Sequence, residues 1–242
     1  MNLRLTRSRS ARPRSNTAIG ITVLLLLASP KLALSDTSGT PEAGAPATES
    51  SSTAVGSGAP SKVVDTLHDN LISVMKNSET LGYDGRFEQL EPVINELFDI
   101  PFMAAKSVGR HWKSVDEEDQ SRLLTKFGQF TVANYAGRFT GYSGQSFETF
   151  KEEAAKHGTV MVFSRLDKGD GETIQLNYRL RPDKNDGWKI IDVLLNGTVS
   201  ELALRRSEYS SLIQREGFAA LMTALNERID DLAGGKVTDR TS

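Results

Sequence analysis

Few side chains in this sequence have the types and spacing that catalysis or metal binding requires. The chain has three histidines, His68, His111 and His157, and no cysteine. None of the histidines lies near a serine or a carboxylate in a triad or metal-ligand spacing. The lack of cysteine excludes disulfides, thiol catalysis and cysteine-ligated metal sites. We therefore expect no metal and no cofactor, and we expect the histidines at surface or boundary positions.

Asp192 is the one carboxylate inside an apolar strand, and it is the best candidate for a general base. Burial would raise the pKa of its side chain unless a partner stabilised the charge. The simpler interpretation is that it accepts backbone N–H bonds or pairs with a basic residue, for which Arg179, Arg205 and Arg206 are available. The sequence has no dinucleotide fingerprint, phosphate loop, HExxH or GxSxG motif.

A long helix predicted over 114–139 carries the most prominent aromatic stripe of the chain. Ser114 and Glu117 have the spacing of a capping box at its start. The stripe repeats at helical spacing and is widened by one further ring. Its members are Leu124, Phe127, Phe130, Thr131, Tyr135 and Phe139. Such a stripe either packs in a core or lines a lipid cavity, and the pattern leaves both open.

From Gly141 the apolar period changes to two, which predicts four strands at 147–151, 159–166, 173–181 and 188–195. Short turns rich in Gly and Asp separate the last three strands and predict an antiparallel meander. The third strand alternates cleanly. Its apolar face carries Ile174, Leu176, Tyr178 and Leu180. Its other face, Thr173, Gln175, Asn177 and Arg179, is expected to be wet.

Helices are predicted before and after these strands. Apolar residues recur at helical spacing near 61–77, 87–99 and 102–108, and again over 200–216 and 218–232. The fold class is therefore α+β, with N-terminal helices, a four-stranded antiparallel sheet and two C-terminal helices.

The N-terminal segment predicts export. Residues 1–35 combine a basic start, an apolar run and a small-residue cleavage site, as in a signal peptide; an uncleaved anchor is the alternative. Residues 36–60 are a polar, disordered linker, 61–233 form one domain, and 234–242 are a polar tail. The chain has 29 basic and 31 acidic residues, and loss of the six basic residues of 1–35 leaves a net charge of −8. Nucleic acid is a poor partner for such a chain.

The stretch from Gly187 to Phe218 carries a specific resemblance. Its parts are Gly187-Trp-Lys-Ile-Ile-Asp-Val193, Asn196-Gly-Thr-Val-Ser-Glu-Leu-Ala203, Arg205-Arg-Ser-Glu-Tyr209 and Arg215-Glu-Gly-Phe218. On these motifs the chain resembles the MlaC family of periplasmic lipid-binding proteins, and most closely its hopanoid-associated HpnM branch. Phospholipid-carrying members commonly have Asn-Tyr-Arg-Ser-x-Phe where this chain has Leu204-Arg-Arg-Ser-Glu-Tyr209. That departure favours a hopanoid-type ligand.

The resemblance implies a curved sheet and helices around an apolar pocket for lipid tails. It implies a periplasmic carrier of hopanoid or phospholipid, with membrane-bound transporter complexes as donor and acceptor. The sheet face and the aromatic helix could supply the lining. The expected lining residues are Phe127, Phe130, Tyr135, Phe139, Ile174, Leu176, Tyr178, Leu180 and Val193.

Two other classes of function remain open. One is an enzyme with a cone-shaped α+β pocket, resembling the nuclear-transport-factor-2 and ketosteroid-isomerase folds, with Asp192 as its base. The other is an interaction module for an envelope complex that holds no ligand.

Overall fold

The structure is a computed structural model that describes residues 59–185 and 187–234. The predicted signal peptide, all but the last two residues of the predicted linker, and the predicted tail beyond Gly234 lie outside the described residues. Within the described part, no helix combines the length and the apolar character needed to cross a bilayer.

Four helices come first. They are α1 (Pro60–Lys76), α2 (Ser78–Leu97), α3 (Ile100–Val108) and α4 (Glu117–Arg138), with a short 3-10 helix, Gly109–Ser114, before α4. Pro60 suits the first turn of α1 because its missing N–H would have no helical partner there. The helix α2 begins earlier than the helix predicted near 87–99, and it contains a kink at Gly82, which has a φ of 60°.

The cap of α4 differs from the prediction. Asp116, not Ser114, begins the helix, and its Oδ1 accepts a hydrogen bond of 2.8 Å from the backbone N–H of Asp119. The hydroxyl of Ser114 instead donates to the carbonyl of His111 within the 3-10 helix. Ser114 and Asp116 could each have capped the helix, but the hydroxyl of Ser114 is already bonded within the 3-10 helix.

The sheet is an antiparallel meander in the order β1-β2-β3-β4-β5. Its strands are β1 (Ser146–Ala155), β2 (Thr159–Asp167), β3 (Thr173–Pro182), β4 (Trp188–Leu195) and β5 (Val199–Ser200). The chain closes with α5 (Glu201–Glu216) and α6 (Phe218–Ala233). The predicted α+β class and strand order are confirmed. The sheet has one strand more than predicted, the two-residue β5.

Two irregularities interrupt the sheet. In β1 the pairing passes from Thr149 to Lys151, so Phe150 is the extra residue, and in β4 it skips Ile191. Bulges of this kind bend a strand and strengthen its twist. Shortly after the first bulge, the carboxylate of Glu152 accepts the N–H of Ser61 at 2.8 Å. This bond holds the start of α1 against β1.

One apolar cluster joins the helices to the sheet. It takes buried residues from α1 to α6 and from β2 to β4, including Val64 of α1, Phe127 of α4, Tyr178 of β3 and Leu225 of α6. The predicted apolar face of β3 is inside this cluster. Burying so many apolar side chains in one layer is the main stabilising contribution to the domain.

The other face of β3 is less exposed to solvent than predicted. Asn177 is only 2% exposed, because the turn after β4 lies over it. The side-chain amide of Asn177 donates to the carbonyl of Gly197 at 3.5 Å, and Gln175 donates to Asn177 at 3.3 Å. Strand alternation predicted the face correctly, but it gave no indication that a turn 20 residues later would cover it.

Candidate functional site

The nine residues predicted to line a pocket are brought together by the fold. All of them belong to, or pack against, the apolar cluster between the sheet and the helices. Seven are buried, and Tyr135 and Phe139 are partly buried. The seven are Phe127, Phe130, Ile174, Leu176, Tyr178, Leu180 and Val193. Because these side chains pack against one another, a lipid tail entering this layer must displace some of them.

A surface groove lies next to this layer. It has a volume of about 630 Å³ and runs between α1 and the segment that leads into β1. None of the nine predicted residues lines it. Its lining residues are Asp65, His68, Asp69, Ile72, Ser73, Lys76, Asn77, Tyr142, Gln145, Ser146 and Phe147. A second, smaller cavity of about 230 Å³ lies elsewhere, between α4 and α6.

Sequence reasoning missed this groove. The helical spacing of Asp65, Asp69 and Lys76 places them on one stripe of α1, and this stripe can be predicted from the sequence. The opposite wall of the groove cannot be predicted in the same way, because Tyr142 and Phe147 come from a segment about 70 residues further along the chain. A cavity between two such segments depends on tertiary packing.

Two stacked rings separate the groove from the apolar layer. The imidazole of His68 lies on the ring of Phe147 with centroids 4.1 Å apart and planes 8° from parallel. On the inner side, His68 Nε2 is 3.1 Å from the hydroxyl of Tyr178. Burial lowers the pKa of His68 to about 3, so the imidazole is neutral near pH 7. The expectation of a surface or boundary position is wrong for His68, which is 4% exposed.

A row of aromatic rings continues from this partition into the core. Phe147 is 6.2 Å from Phe139, Phe139 is 5.7 Å from Tyr135, and Tyr135 is 5.7 Å from Phe98, measured between ring centroids. Offset and edge-on aromatic contacts at these separations are weakly attractive and can rearrange without leaving polar atoms unpaired. The row therefore connects the groove to two of the predicted lining residues.

Asp192 does not face the apolar layer. It lies opposite Arg179 in the sheet, whereas its neighbour Val193 lies opposite Tyr178. Its carboxylate accepts the hydroxyl of Ser200 at 2.6 Å and the N–H of Leu202 at 3.1 Å. Burial raises the pKa of Asp192, and these hydrogen bonds oppose the rise.

The expectation that Asp192 accepts backbone N–H bonds is confirmed. Because Ser200 caps α5 by accepting the N–H of Ala203, Asp192 holds the start of α5 in place. A base would have to reach the pocket, and this carboxylate lies on the other face of the sheet from Val193 and Tyr178.

Arg205, which the sequence offered as a possible partner of Asp192, pairs with another carboxylate. Its guanidinium pairs with Glu201 at 3.3 Å and lies 4.7 Å from the ring centroid of Phe130. Burial raises the pKa of Tyr209, and the charge of Arg205 opposes that rise. Arg205 and Tyr209 therefore add a polar edge to the apolar layer at α5. Phe130 is the predicted lining residue that this edge contacts.

The described residues hold no group of three or more histidine and carboxylate side chains close enough to bind a metal ion. Another polar contact that positions the layer is the ion pair between Arg181 and Asp99. Asp99 also caps α3 by accepting the N–H of Phe102 at 3.0 Å, and it thereby ties the α2–α3 corner to β3.

Comparison with known proteins supplies a family and a fold. A family model described as MlaC protein matches residues 65–227, more than half of the chain. The fold is similar to a solved structure described as a phospholipid-binding protein from Ralstonia solanacearum in complex with a phospholipid. The two chains are 24% identical with a TM-score of 0.64, and the match covers 73% of this chain and 99% of the other. No curated protein matches the chain significantly.

Proposed function

The chain belongs to the MlaC family, and from this premise we propose that it binds the apolar tails of a lipid between its sheet and its helices. The proposed lining is the set of nine residues predicted from the sequence. The observation that carries the proposal is their arrangement: Tyr178 and Leu176 of β3 lie in one apolar cluster with Phe127 and Phe130 of α4. The phospholipid held by a structure of similar fold supports the same class of ligand.

The energetics favour such a layer as a tail site. Hiding a lipid tail from water is worth about 0.8 kcal/mol per methylene, so a lipid with ~30 apolar carbons would lose on the order of 20 kcal/mol if exposed. A carrier must therefore offer an apolar surface of similar quality. The layer between β3 and α4 offers such an apolar surface. Without a lipid its side chains pack against one another, and entering tails would displace some of them.

The proposal includes the route and the compartment. The chain acts in the periplasm as a carrier that accepts a hopanoid or a phospholipid from one membrane-bound transporter complex and delivers it to another. The signal-like residues 1–35 and the net charge of −8 beyond them support a secreted shuttle. The carrier does no chemistry on its cargo, since Asp192 is engaged with Ser200 and Leu202.

The test is to identify the bound molecule. Protein purified from its own host should carry lipid that native mass spectrometry detects and that denaturation releases. The same protein, freed of lipid, should extract lipid from vesicles into the aqueous phase. Protein that carries no lipid and extracts none from phospholipid or hopanoid-containing vesicles would reject the proposal, and it would favour an interaction module instead.

A further inference from the structure

The groove on α1 has a charge pattern that the apolar tail layer does not explain. Asp65 and Asp69 lie toward one end, and Lys76 lies toward the other. Within residues 59–185 and 187–234, none of the three makes an ion pair. Opposite charges at the two ends of one groove favour a ligand that is itself dipolar.

The spacing of these charges suits a short dipolar ligand. Asp69 and Lys76 are seven residues apart, which places them on the same side of α1 with their backbones about 10.5 Å apart along its axis. Both side chains are exposed, and the lysine stem is flexible, so the charged atoms can approach each other more closely than the backbones do. An ammonium and a phosphate joined by a two-carbon spacer can lie between them, with the ammonium on the carboxylates and the phosphate on Lys76.

The opposite wall adds groups suited to the same ligand. The ring of Tyr142 lies beside Lys76, whose Nζ is 5.1 Å from the ring centroid. Gln145 is 6% exposed, and its Oε1 accepts the N–H of Ser143 at 2.6 Å. Among the described residues this is the one hydrogen bond of the Gln145 side chain, which leaves the N–H donors of its Nε2 for phosphate oxygens.

The position of the groove connects it to the tails. Its inner wall is the stacked pair His68 and Phe147, and behind that pair lie Tyr178 and Phe139, two of the proposed lining residues. A lipid whose tails pass Phe147 would leave its headgroup in the groove. The ring of Phe147 is half-buried, pairs with the rings of His68 and Phe139, and packs against the apolar cluster. It makes no hydrogen bond of its own, so its movement breaks none.

We propose that this groove is the headgroup site and that it selects lipids with an ammonium-bearing, phosphoethanolamine-type headgroup over anionic ones. The inference rests on the proposed function, since it requires the tails to enter the layer behind Phe147. Asp65 and Asp69 bind the ammonium, Lys76 and Gln145 bind the phosphate, and Tyr142 covers the site. An anionic headgroup without an amine would leave both carboxylates facing its negative charge.

In the experiment, lipid-free protein is mixed with vesicles of equimolar phosphatidylethanolamine and phosphatidylglycerol. Mass spectrometry then measures which lipid the protein extracts. We expect wild-type protein to enrich phosphatidylethanolamine. Asp69→Asn should lower that enrichment by roughly threefold, the range of one exposed ion pair. Lys76→Gln should reduce extraction of both lipids alike, because both carry a phosphate. Glu88→Gln removes a charge from an exposed position on α2 outside the groove and should change nothing.

The outcomes separate the headgroup site from the tail site. Equal extraction of the two lipids, or enrichment unchanged in Asp65→Asn/Asp69→Asn, would overturn the headgroup site while leaving the carrier function intact. Preference for phosphatidylglycerol would overturn it as well. Failure to extract either phospholipid would overturn the headgroup site, whereas the carrier function would be rejected only if hopanoid-containing vesicles also yielded no extracted lipid.

Discussion

The imidazole of His68 stacks on the ring of Phe147 at 4.1 Å and forms the boundary between an open, charged groove and a closed apolar layer. One ring comes from the first helix and the other from the first strand, 79 residues later. The partition therefore exists only when α1 is docked on the sheet. We expect a change that weakens this contact to open the apolar layer at the place where the groove reaches it.

The first prediction concerns pH. Burial lowers the pKa of His68 to about 3 in the folded protein, against about 6.5 for an ordinary histidine, so the folded state resists protonation that the unfolded chain accepts. Its contribution to stability is therefore complete above about pH 6.5 and is lost as the pH falls toward 3. At pH 5 the loss should be about 2 kcal/mol in the free energy of unfolding.

Urea unfolding at pH 7.5 and at pH 5 measures this loss. His68→Gln keeps a group able to bond Tyr178 but cannot titrate, so its stability should change less between the two pH values than that of the wild type. His157→Asn is the matched control, because His157 is exposed at a φ of 63° that asparagine tolerates. A pH dependence in His68→Gln as steep as in the wild type would contradict the assignment.

The second prediction concerns the tail layer. Leu176→Trp adds bulk to a residue that is 7% exposed on the inner face of β3. It should abolish lipid extraction while costing about 1–3 kcal/mol of stability, as overpacking does. Leu176→Phe should reduce extraction partly and remain folded if the larger ring proves too disruptive.

Thr173→Trp is the control for bulk, because Thr173 is exposed on the other face of the same strand. It should leave extraction unchanged. Extraction by folded Leu176→Trp at the wild-type level would show that the tails do not enter beside β3.

The third prediction separates a structural carboxylate from a catalytic one. Asp192→Asn can still accept the N–H of Leu202 and should cost little, whereas Asp192→Ala leaves that N–H and the hydroxyl of Ser200 without their partner. We expect the alanine variant to lose about 1–3 kcal/mol of unfolding free energy. Both variants should extract lipid normally at temperatures where they are folded.

Asp84→Asn serves as a control for removal of a carboxylate, because Asp84 is exposed on α2. Full stability of Asp192→Asn combined with loss of biological activity would identify Asp192 as a functional group and revive the enzyme hypothesis.

Local pattern predicted the elements well and the site only in part. The strict alternation of β3 and the helical stripe of α4 depend on burial of one face, so the residues of that layer could be recognised from the sequence alone. The cap of α4 could not be decided, since Ser114 and Asp116 are both good capping residues. The burial of His68 was missed because its partners, Phe147 and Tyr178, lie far along the chain.

The groove illustrates the same limit. A charged stripe on α1 has the sequence pattern of an ordinary solvated helix face. Only the loop before β1 gives it an opposite wall, and the position of that loop depends on the next hairpin. A Cβ at Gly169, in the turn between β2 and β3, would lie 2.6 Å from the carbonyl oxygen of Ser143. The backbone of the two loops is in close contact at this point.

The fourth prediction uses this contact. Gly169→Ala should lower the free energy of unfolding through two effects: the residue has a φ of 79°, which costs an alanine about 1–2 kcal/mol, and its methyl group must push the Ser143 backbone away. Overpacking of this kind costs about 1–3 kcal/mol more. Because Ser143 N–H bonds to Gln145, the shift should also weaken the phosphate contact in the groove and reduce extraction of both lipids alike.

Gly171→Ala in the same turn is the matched control. Gly171 has a φ of 90°, but a Cβ there would meet no atom within 4 Å, so only the backbone cost applies. Thermal unfolding should rank the variants with Gly169→Ala the less stable of the two, and the vesicle assay should show reduced extraction of both lipids for Gly169→Ala alone. Equal stability of the two variants would mean that the loop before β1 moves freely, and the wall of the groove would then not be fixed by this contact.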